Sequence, residues 1–230
     1  MPEILRETAL DAKSRIARIL KQGGPGAVLA EIGKIHSGYA RSVYIRDFAR
    51  SGPLEAPVVD KLIAQAVSID SGYEKAQALI GLYRAQHLEG VQLSALLKAG
   101  TGIDSGYEKS QLLKAVAAQM PLDKAAAHVD GSATAAKAYC QSARHIGSSY
   151  GKRMALDDLV RTAKLDEAGY LCVLKTVAGI SSDYDKSTLL VGVAHQMPNN
   201  AALETKYREV AQGIGSDYDR KQAERALNAD

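Results

Sequence analysis

One seven-residue phrase recurs six times along this 230-residue chain, and its spacing restricts the fold more than any other feature. The phrase runs Ile, any residue, Ser, a small or acidic residue, Tyr, usually an acid, then Lys or Arg. Its tyrosines are Tyr39, Tyr73, Tyr107, Tyr150, Tyr184 and Tyr218, separated by 34, 34, 43, 34 and 34 residues. A fixed period near 34 marks an array in which each unit is one supersecondary element and buries its apolar side only against its neighbours. It points to a binding scaffold before an enzyme.

Within each period the apolar residues recur at helical spacing, not alternately. Each unit reads as two helices, A then B, with the phrase at their junction. In the second unit Pro53 is expected to open helix A, which carries Val58, Leu62, Ile63 and Ala66 and closes at Ile69; Ser71 then starts helix B, with Ala78, Leu79 and Leu82 inside. The third unit repeats this with Leu93, Leu96 and Leu97, then Leu112, Leu113 and Val116. An Ala- and Leu-rich composition with no Trp and one Phe suits packed helices better than a β-sandwich.

The array has an irregular start and a seam. Residues 3–20 read as an amphipathic N-terminal capping helix (Ile4, Leu5, Ala9, Ile16, Ile19, Leu20) that Gly23-Gly24-Pro25-Gly26 ends. Leu5 lies one period before Tyr39, so this segment is in register with a B helix lacking its phrase. It is either a cap or the result of a cut inside a longer protein. Nine extra residues separate Tyr107 from Tyr150. They place a seam at 120–131, between repeats 1–3 and 4–6, with 122–131 read as a longer connection or an extra helical turn.

The junction has a local mechanism. Ser71-Gly72-Tyr73-Glu74 and Ser105-Gly106-Tyr107-Glu108 are capping boxes, and the Ser182 and Ser216 phrases use Asp in place of Glu. The serine hydroxyl accepts from the backbone N–H three residues on, and the glutamate reaches back to the serine N–H. Serine, tyrosine and the cation two residues later never vary. The tyrosine is expected to pack between units with its hydroxyl on a polar partner, with ligand stacking as the alternative. The cations are Arg41, Lys75, Lys109, Lys152, Lys186 and Arg220. Each lies in the first helical turn, where the helix dipole disfavours positive charge. A ladder between units would offset this: Arg41 to Glu74, Lys75 to Glu108, Lys152 to Asp185 and Lys186 to Asp219, with Lys109 facing Gly151 at the seam. The competing reading is a basic row that binds an anion or nucleic acid, centred on Lys152 and Arg153, where no acid adjoins.

Other chemistry finds little footing. The 29 basic and 26 acidic residues nearly cancel, so charge alone demands neither nucleic acid nor an anionic membrane. His36, His87, His128, His145 and His195 form no metal spacing. No nucleophile motif or phosphate-binding loop appears. No metal, cofactor or catalytic residue is assigned, and the expected chain is not an enzyme. Cys140 and Cys172 fall near the middle of A helices in adjacent units and read as buried free thiols, with a disulfide open to them outside a reducing compartment. The charged first twenty residues do not read as a signal peptide, and no run approaches the ~18–20 apolar residues of a membrane span. The chain as given reads as soluble and cytoplasmic, or periplasmic if cut from a membrane protein.

Ile180-Ser181-Ser182-Asp183-Tyr184-Asp185-Lys186 and Ile214-Gly215-Ser216-Asp217-Tyr218-Asp219-Arg220 resemble units in the soluble regions attached to bacterial membrane metallopeptidases of the β-lactam-sensor/antirepressor type. The resemblance covers roughly residues 30–230. It implies a HEAT-like helical repeat acting as a sensor or docking surface, and carries over no catalytic residue, because the zinc-binding helix and membrane spans of the peptidase have no counterpart here. The expected whole is a single all-α domain over residues 1–230: a right-handed α–α superhelix, a HEAT/TPR-like solenoid of about six two-helix repeats plus an N-terminal helix. Its expected role is non-catalytic protein or peptide binding, as the regulatory or sensor part of a larger bacterial protein. The alternative is anion or nucleic-acid binding by the cation row.

Overall fold

The structure, a computed structural model, describes residues 2–120 and 131–229. Among them all regular structure is α-helical, in thirteen helices. A short α1 (Pro2–Thr8) precedes α2 (Ala12–Gly33), and α3 (Gly38–Ala49) completes the first unit. The second unit is α4 (Ala56–Val67) with α5 (Gly72–Gln86), and the third α6 (Gly90–Thr101) with α7 (Gly106–Ala117). Then follow α8 (Gly131–Arg144) with α9 (Ser149–Thr162), α10 (Glu167–Val177) with α11 (Asp183–Ala194), and α12 (Ala201–Gln212) with α13 (Asp217–Leu227).

The packing has a rule: besides its hairpin partner, each helix touches the helix two places away. The A helices form one file, α2 on α4, α4 on α6, α6 on α8, α8 on α10 and α10 on α12. The B helices form a second, from α3 on α5 through to α11 on α13. The nine extra residues do not interrupt either file, since α6 meets α8 and α7 meets α9 as other neighbours do. The expected longer connection at 122–131 otherwise lies outside the described residues, apart from Gly131, the first residue of α8.

The start differs from the expected single helix over 3–20. Ala9 and Asp11 adopt left-handed backbone angles and separate α1 from α2. Helix α2 then runs to Gly33 with one interruption, at Gly24 (φ 67°, ψ −172°). Proline disfavours helical angles in the residue before it and is well placed at the start of a helix, so Gly24-Pro25 ends one stretch and opens the next. The expected Gly-Pro break is therefore real, and it falls inside α2. Helix α1 packs on α3, the place a preceding B helix would take. Pro53 lies ahead of α4 rather than opening it; Pro57 occupies the first turn.

One continuous apolar core runs from Ala12 to Ala223. The isoleucine that opens each phrase, from Ile35 through Ile69, Ile103, Ile146 and Ile180 to Ile214, is buried in it. So are five tyrosines outside the phrase: Tyr44, Tyr83, Tyr139, Tyr170 and Tyr207. A buried phenol needs a hydrogen-bond partner, and four have a carbonyl: Val116 O for Tyr83 at 3.1 Å, Ala155 O for Tyr139 at 2.7 Å, Gln196 O for Tyr170 at 2.6 Å and Ala223 O for Tyr207 at 2.9 Å. Burial pushes the Tyr83 hydroxyl pKa up to about 12.

Candidate functional site: the phrase at the head of each B helix

All six phrase serines cap their helices. Each hydroxyl accepts from the N–H three residues on, at 3.1–3.3 Å, from Ser37 with Ala40 to Ser216 with Asp219. The expected reciprocal bond from the acid back to the serine N–H gives way at Ser182 and Ser216 to one between units. Ser149 Oγ accepts from Ser182 N at 3.2 Å, and Asp183 Oδ2 accepts from Ser216 N at 2.9 Å. The residue just after one cap thus serves the next cap. Helix α1 supplies the same service to the first unit: Glu7 Oε2 accepts from Ser37 N at 2.7 Å.

The cations are explained, though not by the expected ladder. Lys75 Nζ donates to Gly102 O at 3.1 Å, Lys152 Nζ to Gly179 O at 3.4 Å and Lys186 Nζ to Gly213 O at 3.1 Å. Lys109, at the seam, keeps the pattern and donates to His145 O at 3.0 Å. Arg41 reaches Ser68 Oγ at 2.7 Å and Ile35 O at 3.1 Å. Each of these carbonyls or hydroxyls sits at the C-terminal end of an A helix, the negative end of its dipole, where unpaired carbonyls favour a cation. Arg220 donates to Ile214 O at 3.2 Å and pairs with Asp217. The cation of one unit therefore caps the A helix of the next, and the pairings of Arg41 with Glu74, Lys75 with Glu108, Lys152 with Asp185 and Lys186 with Asp219 do not form. Carbonyls at helix ends are invisible to a reading that pairs side chains with side chains.

Two of the acids, Glu74 and Asp185, find partners one residue along. Ser42 Oγ donates to Glu74 Oε2 at 2.6 Å, and Arg153 Nε meets Asp185 Oδ1 at 2.7 Å. Arg153 also lies over the Tyr150 ring, 5.1 Å from its centre. The basic spot at Lys152 and Arg153, expected to lack an acid, is thus occupied on both residues. Burial holds the Lys109 ammonium pKa below its ordinary value, which further weakens a basic row.

The tyrosines behave opposite to expectation. Tyr39, Tyr73, Tyr107, Tyr150, Tyr184 and Tyr218 are 55–73% exposed. None of their hydroxyls hydrogen-bonds a described residue. Each is the second residue of its B helix, so successive rings occupy one equivalent position along the B file. Between Tyr107 and Tyr150 a cavity of about 270 Å3 opens, lined also by Lys114, Met154 and Asp158. Gly151 takes the place of the acid there. Burial pushes the Asp158 carboxyl above its ordinary range. A cleft of about 720 Å3 lies elsewhere, between α2 and the end of α3, lined by Lys13, Ile16, Leu20, Asp47 and Arg50.

Among the described residues no three His, Cys, Asp or Glu gather to hold a metal ion, and no helix is long and apolar enough to cross a membrane. The chain matches no protein-family model, no curated protein and no solved structure.

Proposed function

We propose that this chain is a HEAT-like α-helical solenoid that binds protein or peptide partners without catalysis, along the file of tyrosines at the heads of its B helices. It would act as the regulatory or docking part of a larger bacterial protein, the role that the resemblance of its phrases implies. One observation carries the reading. Isoleucine, serine and cation each have a structural task in the phrase, whereas the tyrosine rings stay exposed and their hydroxyls bond no described residue, with the Arg153 guanidinium over the Tyr150 ring. Six large aromatic rings left in water at equivalent positions favour a partner, because tyrosine supplies contact area with a polar tip at small entropic cost. Exposed Asp70 and Asp104 flank the file while Lys75 and Lys186 are turned to carbonyls. This charge balance suits a partner with basic side chains, which also stack on tyrosine. The alternative, anion or nucleic-acid binding, would have to use cations that already hold helix ends.

Random peptides selected on the wild-type protein test this. Their affinity should fall about tenfold or more when Tyr73, Tyr107 and Tyr184 are all changed to Ser, while the melting temperature holds, since these side chains are exposed. Selected peptides that bind the triple variant as tightly as wild type would remove the tyrosine file from consideration.

A further inference from the structure

The cleft between α2 and the end of α3 arises from the irregular start of the array. Helix α2 has 22 residues, against 11 or 12 in α4, α6, α10 and α12. Its surplus is the stretch before the Gly24 break, and this stretch lies along the end of α3. The cleft that opens there measures about 720 Å3, within the range of about 300–1,000 Å3 typical of small-molecule sites.

Its two walls differ in chemistry. On α2, Lys13, Ile16, Ala17, Leu20 and Lys21 line the cleft. They fall at i, i+3, i+4, i+7 and i+8, one face of a helix. That face is an apolar floor with an ammonium group at each end. The opposite wall carries Arg50 and Asp47, which meet loosely at 3.6 Å. Lys13 and Lys21 are exposed, and neither makes a hydrogen bond or ion pair with a described residue. The phrase cations hold helix-end carbonyls, but the end of α3 leaves no such task here. Phe48 O accepts from Ser51 Oγ at 2.7 Å, and Ala49 O accepts from Gln86 Nε2 at 2.5 Å. Three cations against one acid, over an apolar floor, match a ligand that is anionic at one end and apolar along its body.

We propose that this cleft binds a small amphipathic anion, a carboxylate on a single alkyl chain, with the chain over Ile16, Ala17 and Leu20. Arg50 offers the planar fork that a carboxylate matches. Lys13 and Lys21, about 12 Å apart along α2, lay their apolar stems beside the chain and hold the field positive. Nothing in this site depends on the tyrosine file.

The test titrates the isotope-labelled full chain with sodium decanoate below its micelle concentration and follows amide NMR shifts. Decanol and decyltrimethylammonium serve as the neutral and cationic counterparts. Decanoate should shift the amides of residues 13–21 and 47–51 saturably, and bind about tenfold or more tightly than decanol. Decyltrimethylammonium should leave those amides unmoved. Changing Lys13, Lys21 and Arg50 together to Ser should bring decanoate down to the affinity of decanol. The melting temperature should hold, since these side chains are exposed. Ala17→Glu, which puts a carboxylate on the floor, should abolish decanoate binding. The proposal fails if decanoate binds no better than decanol, if the shifts centre outside the cleft, or if the triple variant keeps wild-type affinity. The comparison of decanoate with decanol needs no variant, so a misfolded substitution does not decide the outcome.

Discussion

Lys186 holds the carbonyl of Gly213 at 3.1 Å from a buried position. Asp219, whose carboxylate sequence pairing assigns to it, makes no ion pair with Lys186; its backbone N–H donates to the Ser216 hydroxyl and its carbonyl accepts from the Ser187 hydroxyl. The two accounts separate cleanly. Lys186→Met keeps most of the stem and leaves a helix-end carbonyl unpaired. It should lower stability by about 1–3 kcal/mol, the range for a charged hydrogen bond. Asp219→Asn should cost less than about 1 kcal/mol, the size of a dipole contribution in a first helical turn. Denaturation midpoints measure both, and equal losses would restore the ion-pair ladder. At this scale the serine was legible because capping depends on four consecutive residues. The cation's partner was not, because it lies 27 residues away on the backbone.

Helix α1 is held on the rest of the molecule largely by carboxylates. Glu31 accepts from Arg6 Nε at 2.8 Å and from Arg15 Nη2 at 2.7 Å. Glu7 accepts from His36 N at 3.0 Å and Ser37 N at 2.7 Å. Burial pushes the Glu31 carboxyl up, but the two guanidinium groups outweigh it and the pKa ends below its ordinary value. The backbone N–H groups of His36 and Ser37 lower that of Glu7. Both folded values lie below the unfolded one, so the stabilisation is whole above about pH 4.3. It is lost as pH falls through the folded values. On acidification α1 should detach before the B helices it packs against. Amide exchange across a pH series reads this: protection in α1 should fall as the pH drops below about 4.3 while α5 stays protected, and Glu31→Gln should lose protection in α1 at neutral pH. Equal protection of α1 and α5 at the acid end would show that α1 is held by its apolar contacts instead. The sequence placed this segment in register with a B helix, and α1 does pack on α3. Its division at Ala9–Asp11 escaped notice because those residues carry no glycine or proline signal.

Across the whole molecule, every helix rests on its nearest neighbours in the two files. Damage should therefore stay local. Leu96, fully buried in α6, is a suitable probe, since Leu→Ala at such a site costs about 2–5 kcal/mol. Leu96→Ala should reduce hydrogen-exchange protection in α4 to α8 and leave α12 and α13 unchanged. A uniform loss along the chain would mean that the helices unfold as one cooperative body. The same neighbour rule explains how nine extra residues before α8 leave both files continuous: α6 and α8, and α7 and α9, still meet.

The amino-acid order alone determined the helical class, the six units, the serine caps and the Gly24-Pro25 break. Those features arise from period, turn chemistry and steric limits acting within a few residues. Only the tertiary structure decided what the invariant tyrosine and cation do. A side chain's exposure and its partner depend on how close the next unit comes, and residue 27 or 34 places later is a neighbour only after the helices have stacked. That stacking drew Ile35 and its five counterparts inward, turned the cations onto helix-end carbonyls, and left six tyrosine rings in water.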